Sequence, residues 1–325
     1  MEYNAHALGY YHGYLMTDSK EALENSYKTG FRIFEVDIQR TSDGHFIAYH
    51  MWTKDDADRL QIPFDPSNPV PDLKTFRNYR YLTKAFPGGL TPLTLKEIFA
   101  FMKKHPDTTM MFDFKAAVTT PDNPELMQSL AAAFTDEDLI RQSVVETYSL
   151  NNARYLYEAG YPNIQPWIDL PEYSEKGFQS IEEILDFIKK YSVKNVSISY
   201  ARIKNNPAEL EALHQAGVRV FSHSWESIYY YAWKTAKDFK EPEKLGLDVA
   251  TIDLPMHNGR LPEREEVVLN MTLPPDRNKE IAYLSAYERI RMKFTKYRYR
   301  LLSHLLFGKK AKKYREKYKK LSAIV

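Results

Sequence analysis

The 325-residue chain has no cysteine. That one absence excludes a disulfide framework, a thiolate metal site and a cysteine nucleophile, so any bound metal must be held by Asp, Glu, His or backbone oxygen. Long apolar runs are missing too: no stretch approaches the roughly 18 consecutive apolar residues of a membrane span. The opening Met1-Glu2-Tyr3-Asn4-Ala5-His6 has neither a basic start nor an apolar run, so no secretory signal is expected and a cytoplasmic protein is the default. No glycine-rich phosphate loop follows the first strand-like run, which argues against an open doubly wound sheet. Excess charge of either sign is also lacking, with a net charge of only +2.

What is present suits an enzyme-sized globular body. Apolar residues make up 43% of the chain and aromatics 14%, enough to fill a large core. Short β-rich runs occur at Tyr3–His6, Arg32–Ile38, Met110–Phe114, Ser143–Thr147, Ile164–Ile168, Asn195–Ser199, Val218–Ser222 and Val249–Asp253. Helical periodicity fills most of the gaps, as in Leu95, Ile98, Phe99 and Met102, or Ile181, Ile184, Leu185 and Ile188. Eight strands alternating with helices predict an α/β fold, a (β/α)8 TIM barrel over residues 1–256.

Two departures from simple alternation are expected. Phe34–Arg40 and His45–His50 are both strand-like around Ser42-Asp43-Gly44, a β-hairpin insertion. Folding back at Asp43-Gly44 sets Asp37 roughly opposite His50, while Glu35 and Asp37, two apart, share one face of their strand. The Pro- and aromatic-rich stretch 54–94 is too long for an ordinary connection and reads as an inserted loop or lid. Beyond the last strand, residues 257–325 read as a linker and a basic amphipathic helical tail. Tyr283, Tyr287, Ile290, Phe294, Tyr297, Leu301 and Leu305 form one stripe at steps of three and four. Between Arg289 and Lys320 there are 14 Lys or Arg and one acid, Glu316; the other 31 bases face 42 acids. An acidic body with a basic tail suggests an anionic partner, membrane lipid or a polyanion, with peripheral contact at the inner face of an anionic membrane as one reading and packing of the stripe on the barrel or on a second copy as the other. Nothing beyond charge points to nucleic acid, and oligomeric state is not legible.

Chemistry is expected at the strand ends. His6, Glu35, Asp37, His50, Asp113 and Lys115 all fall where barrel enzymes keep their sites. Asp113 and Lys115 share parity. A third carboxylate aimed where Glu35 and Asp37 point would create strong repulsion, and a divalent cation resolves it; an all-oxygen shell suits Mg2+ or Ca2+.

Ala5-His6 with Gly9, Phe34-Glu35-Val36-Asp37-Ile38, Thr41-Ser42-Asp43-Gly44, Ala48-Tyr49-His50, Thr91-Pro92-Leu93-Thr94-Leu95, Phe112-Asp113-Phe114-Lys115, Val220-Phe221-Ser222 and Thr251-Ile252-Asp253-Leu254-Pro255 together resemble the glycerophosphodiester phosphodiesterases, of the phospholipase C-like phosphodiesterase superfamily. The resemblance spans roughly residues 3–256. It implies a metal-dependent phosphodiester hydrolase acting on a glycerophosphodiester or a glycerol-phosphate-containing lipid or glycopolymer. His6 and His50 would form the acid–base pair, Glu35, Asp37 and Asp113 would bind the metal, and Lys115 would meet the phosphate. In that family the attacker is commonly a neighbouring substrate hydroxyl, giving a cyclic phosphate that water then opens.

Two positions depart from the family pattern. Ala7 stands where an arginine normally follows the first histidine, as in a branch with Ala after that histidine, and Asp113 stands where a glutamate is usual. The phosphate must then be held differently, with His223 the best substitute and His12 and Arg202 the others; Trp167 and Trp225 are candidate pocket liners. The alternative expectation is a catalytically inactive barrel that binds a phosphorylated glycan or lipid at a membrane surface.

Overall fold

The computed structural model describes residues 1–12, 14–115, 122–169, 180–223, 239–253, 256, 259–261, 286–306 and 308–322. Strands are β1 Glu2–Ala5, β2 Ile33–Arg40, β3 Phe46–Ala48, β4 Thr109–Asp113, β5 Ser143–Thr147, β6 Ile164–Pro166, β7 Asn195–Ser197, β8 Arg219–His223 and β9 Val249–Ile252. Among the described residues the helices are α1 Lys20–Thr29, α2 Lys54–Leu60, α3 Leu73–Asn78, α4 Leu95–Lys104, α5 Pro124–Ala133, α6 Glu137–Arg141, α7 Leu150–Glu158, α8 Ile181–Tyr191, α9 Tyr200–Asn205, α10 Pro207–Gln215, α11 Lys240–Leu245, α12 Ala286–Leu305 and α13 Gly308–Ser322.

Eight strands run parallel in the order β6-β5-β4-β2-β1-β9-β8-β7, with β3 off this path. The ends meet: Trp167 bridges to Ser197, and the Ile168 N–H donates to the Ser197 carbonyl at 2.9 Å. The sheet therefore closes into the expected TIM barrel. Helix starts follow sequence chemistry. Thr94 with Glu97 and Ser180 with Glu183 form reciprocal caps on α4 and α8, satisfying N–H groups the first turn would leave unpaired.

Alternation sorts each strand. Phe34, Val36, Ile38, Met110, Phe112, Val145, Val220 and Ile252 face the helices in the main core. The opposite parity points inward. Ile33, Met111, Val144, Phe221 and Val249 form an apolar plug at the amino-terminal end of the barrel. Above it the interior turns polar: Gln165 donates to Ser197 Oγ at 2.8 Å, and Asn4 to Thr251 Oγ1 at 3.1 Å. Another two residues along, the carboxyl ends carry His6, Asp37, Asp113, His223 and Asp253. A pleat of period two thus delivers an apolar floor and a charged mouth from the same strands.

β2 outruns its neighbours, and its last residues pair antiparallel with β3: Ile38 with Ala48, Gln39 with Ile47, Arg40 with Phe46. The turn closes through the Gly44 N–H on the Thr41 carbonyl, with Gly44 at φ +89°. The register differs by one residue from the sequence expectation. The Tyr49 N–H donates to the Asp37 carbonyl at 2.9 Å, so Tyr49, not His50, lies opposite Asp37. The turn geometry fixes this count, and it cannot be read from the hydrophobic pattern alone.

The 54–94 stretch holds α2 and α3 and shares a second cluster with the end of the hairpin: Ile47 and Tyr49 are buried together with Ala57, Leu60, Ile62, Phe76, Tyr81, Leu82 and Leu90. Tyr49 stacks on Trp52 at 4.3 Å between ring centroids. The two carboxy-terminal helices pack on each other as a hairpin, Tyr299 against Tyr314 at 5.9 Å, with the Lys317 ammonium over both rings. Of the apolar stripe expected there, Tyr283 lies outside the described residues, as do the side chains of Tyr287 and Ile290. No helix among the described residues is long and apolar enough to cross a membrane.

Candidate active site

Glu35 and Asp37 come from β2 and Asp113 from β4, which pair in parallel with Asp37 beside Asp113. Because 35 and 37 share parity, all three carboxyls enter the barrel mouth. One oxygen of each lies within 4.8 Å of the others, and all three residues are buried. Three buried carboxylates at that spacing repel strongly unless a cation or protons intervene. Burial, with Asp37 and Asp113 adding, pushes the Glu35 pKa well above the ordinary carboxylate range. Burial also raises Asp113, despite the opposing Lys115 ammonium. Asp37 goes the other way: burial opposes ionisation, but Lys115, His50 and His6 around it hold its pKa below the usual value.

Glu35 Oε1 and both oxygens of Asp37 accept no hydrogen bond. Buried carboxylate oxygens that accept no hydrogen bond have lone pairs to offer a cation. The donor set, all carboxylate, fits a hard divalent cation. The cluster could therefore hold one.

Lys115 borders the cluster, its Nζ 2.6 Å from Asp113 Oδ2 and 3.3 Å from Asp37 Oδ1. Burial works against its charge, but Asp113, Tyr148, Asp37 and Glu35 raise its pKa well above the ordinary value, so it stays an ammonium. Tyr148, at the end of β5, donates its hydroxyl to Asp113 and also receives Lys115 Nζ at 3.0 Å.

The two histidines are each oriented by a carboxylate. His6 lies in the 3-10 turn after β1, with Nδ1 2.8 Å from Asp253 Oδ1 and Nε2 3.9 Å from Glu35 Oε2. Burial lowers the His6 pKa, yet Asp253, with Asp37 adding, leaves it raised overall. His50 follows β3 and has Nδ1 2.9 Å from Asp56 Oδ2. Asp56 sits in the first turn of α2 and is gripped by Arg59 through Nε at 3.2 Å and Nη2 at 2.6 Å. Arg59 also donates to the Met16 carbonyl, which ties α2 to the loop after β1.

The first turn shows what occupies the place of the missing arginine. Ala7 is fully buried at φ +46°, and its N–H donates to Glu35 Oε2, so the backbone at this position serves the acidic cluster. Gly9, at φ +92°, passes so close to α1 that a Cβ there would lie 2.2 Å from Ser26 Oγ.

His223, from the end of β8, stacks on Trp167 at 4.8 Å, and Trp167 stacks on Tyr148 at 5.9 Å. Its ring stands 6.1 Å from that of His6, and its buried Nε2 has no hydrogen-bond partner. Arg202 is taken up by Glu209, Nε to Oε2 at 2.6 Å. His12 packs near Tyr11 and Phe86. Trp225 lies outside the described residues. His6, Glu35, Asp37, His50, Asp113, Lys115 and His223 therefore fall at one mouth. Sequence reasoning missed Asp253, Asp56, Arg59, Tyr148 and the buried Asp18, whose Oδ1 accepts the Asp37 N–H at 3.3 Å. Asp253 and Tyr148 end strands and were findable by position. Asp56, Arg59 and Asp18 sit in irregular or inserted segments with no such signal.

A family model described as the glycerophosphoryl diester phosphodiesterase family matches residues 11–253. Solved structures of similar fold include a glycerophosphodiester phosphodiesterase from Agrobacterium tumefaciens str. C58, at 14% identity and TM-score 0.58, covering 80% of this chain and 99% of that one. A glycerophosphoryl diester phosphodiesterase from Parabacteroides distasonis ATCC 8503 shows 19% identity and TM-score 0.56, covering 78% and 83%. Glycerophosphodiester phosphodiesterase from Thermotoga maritima shows 15% and 0.53, covering 77% and 93%. The match covers most of the chain and every site residue named above except His6 and Ala7, and these two lie in the turn directly after β1 of the same barrel. The chain belongs to the glycerophosphoryl diester phosphodiesterase family and is a phosphoric diester hydrolase of that type.

Proposed function

We propose that this chain hydrolyses a glycerophosphodiester, or a lipid or glycopolymer containing glycerol phosphate, by acid–base catalysis between His6 and His50. The observation that carries this reading is the buried Glu35–Asp37–Asp113 cluster, in which Glu35 Oε1 and both Asp37 oxygens accept no hydrogen bond, with a carboxylate-oriented imidazole on either side. Glu35, Asp37 and Asp113 would hold Mg2+ or Ca2+. A cation there would draw electron density from a phosphoryl oxygen.

The chain's own groups do the rest. Lys115 offers a fixed positive charge beside the cluster, ready for the negative charge that grows on phosphoryl oxygen. Asp253 holds the Nδ1 side of His6 and Asp56 that of His50, which leaves each Nε2 to face substrate. One ring removes a proton from the attacking hydroxyl; the other delivers one to the departing alcohol. An adjacent hydroxyl of the substrate's glycerol is the proposed attacker, and a cyclic phosphate the first product. Nε2 of His223, with Trp167 and Tyr148 stacked beneath it, is the proposed stand-in for the missing arginine. The 54–94 insert is proposed as part of the site wall, since it supplies Asp56 and Arg59 behind His50.

Family membership favours turnover over the inactive-barrel alternative. The test is hydrolysis of bis-p-nitrophenyl phosphate by the wild type and the His50→Ala variant, with and without EDTA. Metal-dependent turnover that disappears in the variant supports the reading. Turnover indifferent to both EDTA and His50 overturns it.

A further inference from the structure

The face of α12 turned away from α13 carries large apolar side chains that are exposed among the described residues. Phe294 is 72% exposed, Tyr297 66%, Leu301 58% and Leu305 62%. Their spacing of three, four and four keeps them within one narrow stripe along a helix turning 100° per residue. The opposite face, with Tyr299 and Ser303 buried, packs on α13. The stripe is therefore not the seam of the helical hairpin. Contiguous exposed apolar surface of this kind marks an interaction site.

Charge identifies the occupant. By the same helical geometry Arg298 borders one edge of the stripe, and Lys293, Arg300 and His304 border the other; all four are exposed. On α13, Lys309, Lys310, Lys312, Lys313, Arg315 and Lys319 are exposed as well. Residues 286–322 hold 14 Lys or Arg against the two acids Glu288 and Glu316. Two copies meeting through this stripe would bring like charges edge to edge. Phosphates of a nucleic acid would use the bases but leave the apolar side chains idle. A bilayer surface uses both: acyl chains for Phe294, Leu301 and Leu305, the headgroup level for Tyr297, and anionic lipid for the bordering cations.

We propose that the α12–α13 hairpin docks this protein flat on an anionic lipid surface through the Phe294–Tyr297–Leu301–Leu305 stripe. This surface is independent of the catalytic reading. The full chain is floated with vesicles of phosphatidylcholine alone or mixed with phosphatidylglycerol. Binding to the mixed vesicles is expected to be at least about tenfold tighter than to neutral ones, and to weaken in high salt. The F294S/Y297S/L301S/L305S variant is expected to lose about tenfold or more of that binding, with its helicity and its turnover of a short soluble diester unchanged. L301D, at one already exposed position, gives the same readout should four changes loosen the hairpin. Equal binding by wild type and both variants overturns the proposal, as does equal affinity for neutral and anionic vesicles. Absence of vesicle binding, with a dimer that L301D dissolves, reassigns the stripe to a second copy. Capture by duplex DNA that the variants retain, without vesicle binding, reassigns the bases to nucleic acid.

Discussion

Asp56 Oδ2 stands 2.9 Å from Nδ1 of His50, and it does so from the first turn of an inserted helix rather than from a barrel strand. His6 is matched by Asp253 at 2.8 Å, a residue of the last strand's end. Each imidazole thus keeps one nitrogen occupied and the other free for chemistry.

The orienting acids set a first expectation. Asp56→Asn and Asp253→Asn should each lower kcat at least about tenfold while KM changes little, since losing the carboxylate behind a catalytic histidine can cost up to about 10^4. Steady-state kinetics on a chromogenic diester reads it. A fall in folding stability with kcat intact would mean the acids only hold structure.

Asp56 also predicts a pH effect on stability. Burial raises its pKa, but the hydrogen bond from His50 and the charge of Arg59 outweigh it and leave it lowered. A carboxyl with a depressed folded-state pKa binds fewer protons folded than unfolded in that window, so its contribution is full above the unfolded value of about 4 and is lost as pH falls through the folded value. Urea midpoints measured from pH 6 downward should therefore drop more steeply for wild type than for Asp56→Asn.

Both histidines should be needed, and together. His6→Ala and His50→Ala are each expected to lower kcat by roughly 10^2 to 10^4, and the double variant by far less than the product of the two. Calorimetric Mg2+ or Ca2+ binding should persist in all three. Additive losses in the double variant would show that the rings act in separate steps of unequal weight.

Lys115 pairs with two buried acids, Asp113 and Asp37. Lys115→Met leaves them without that partner and should cost roughly 3–5 kcal/mol in the metal-free protein, the usual range for removing one side of a buried ion pair. Added divalent cation should return part of the loss. Denaturant unfolding with and without Mg2+ reads both halves.

Metal should stabilise the fold only while the acids are intact. At a free cation concentration 100 times its Kd, wild type should gain about 2.7 kcal/mol. Glu35→Gln should lose the metal-dependent shift in Tm, yet match or exceed wild type without metal, because burial and the neighbouring acids Asp37 and Asp113 already disfavour its charge. Thermal melts in EDTA and in Mg2+ or Ca2+ distinguish the two regimes.

Local pattern alone settled a good deal. Period-two alternation and the helical stripes between strand-like runs identified the barrel, and equal parity put Glu35 with Asp37 and Asp113 with Lys115, because neighbours two apart in a strand must face the same way. The carboxyl-terminal part of the apolar stripe, Phe294, Tyr297, Leu301 and Leu305, was equally readable as periodicity. What needed the closed barrel was everything joining residues distant in the chain: Asp253 reaching His6, Asp56 and Arg59 fixing His50, Tyr148 capping Asp113, and Asp37 opposing Tyr49 rather than His50. Sequence records which way a side chain points along its own element. Which elements become neighbours, and at what register, is decided by ring closure and by a packed insert, where one residue of slip or one turn of helix changes the partner.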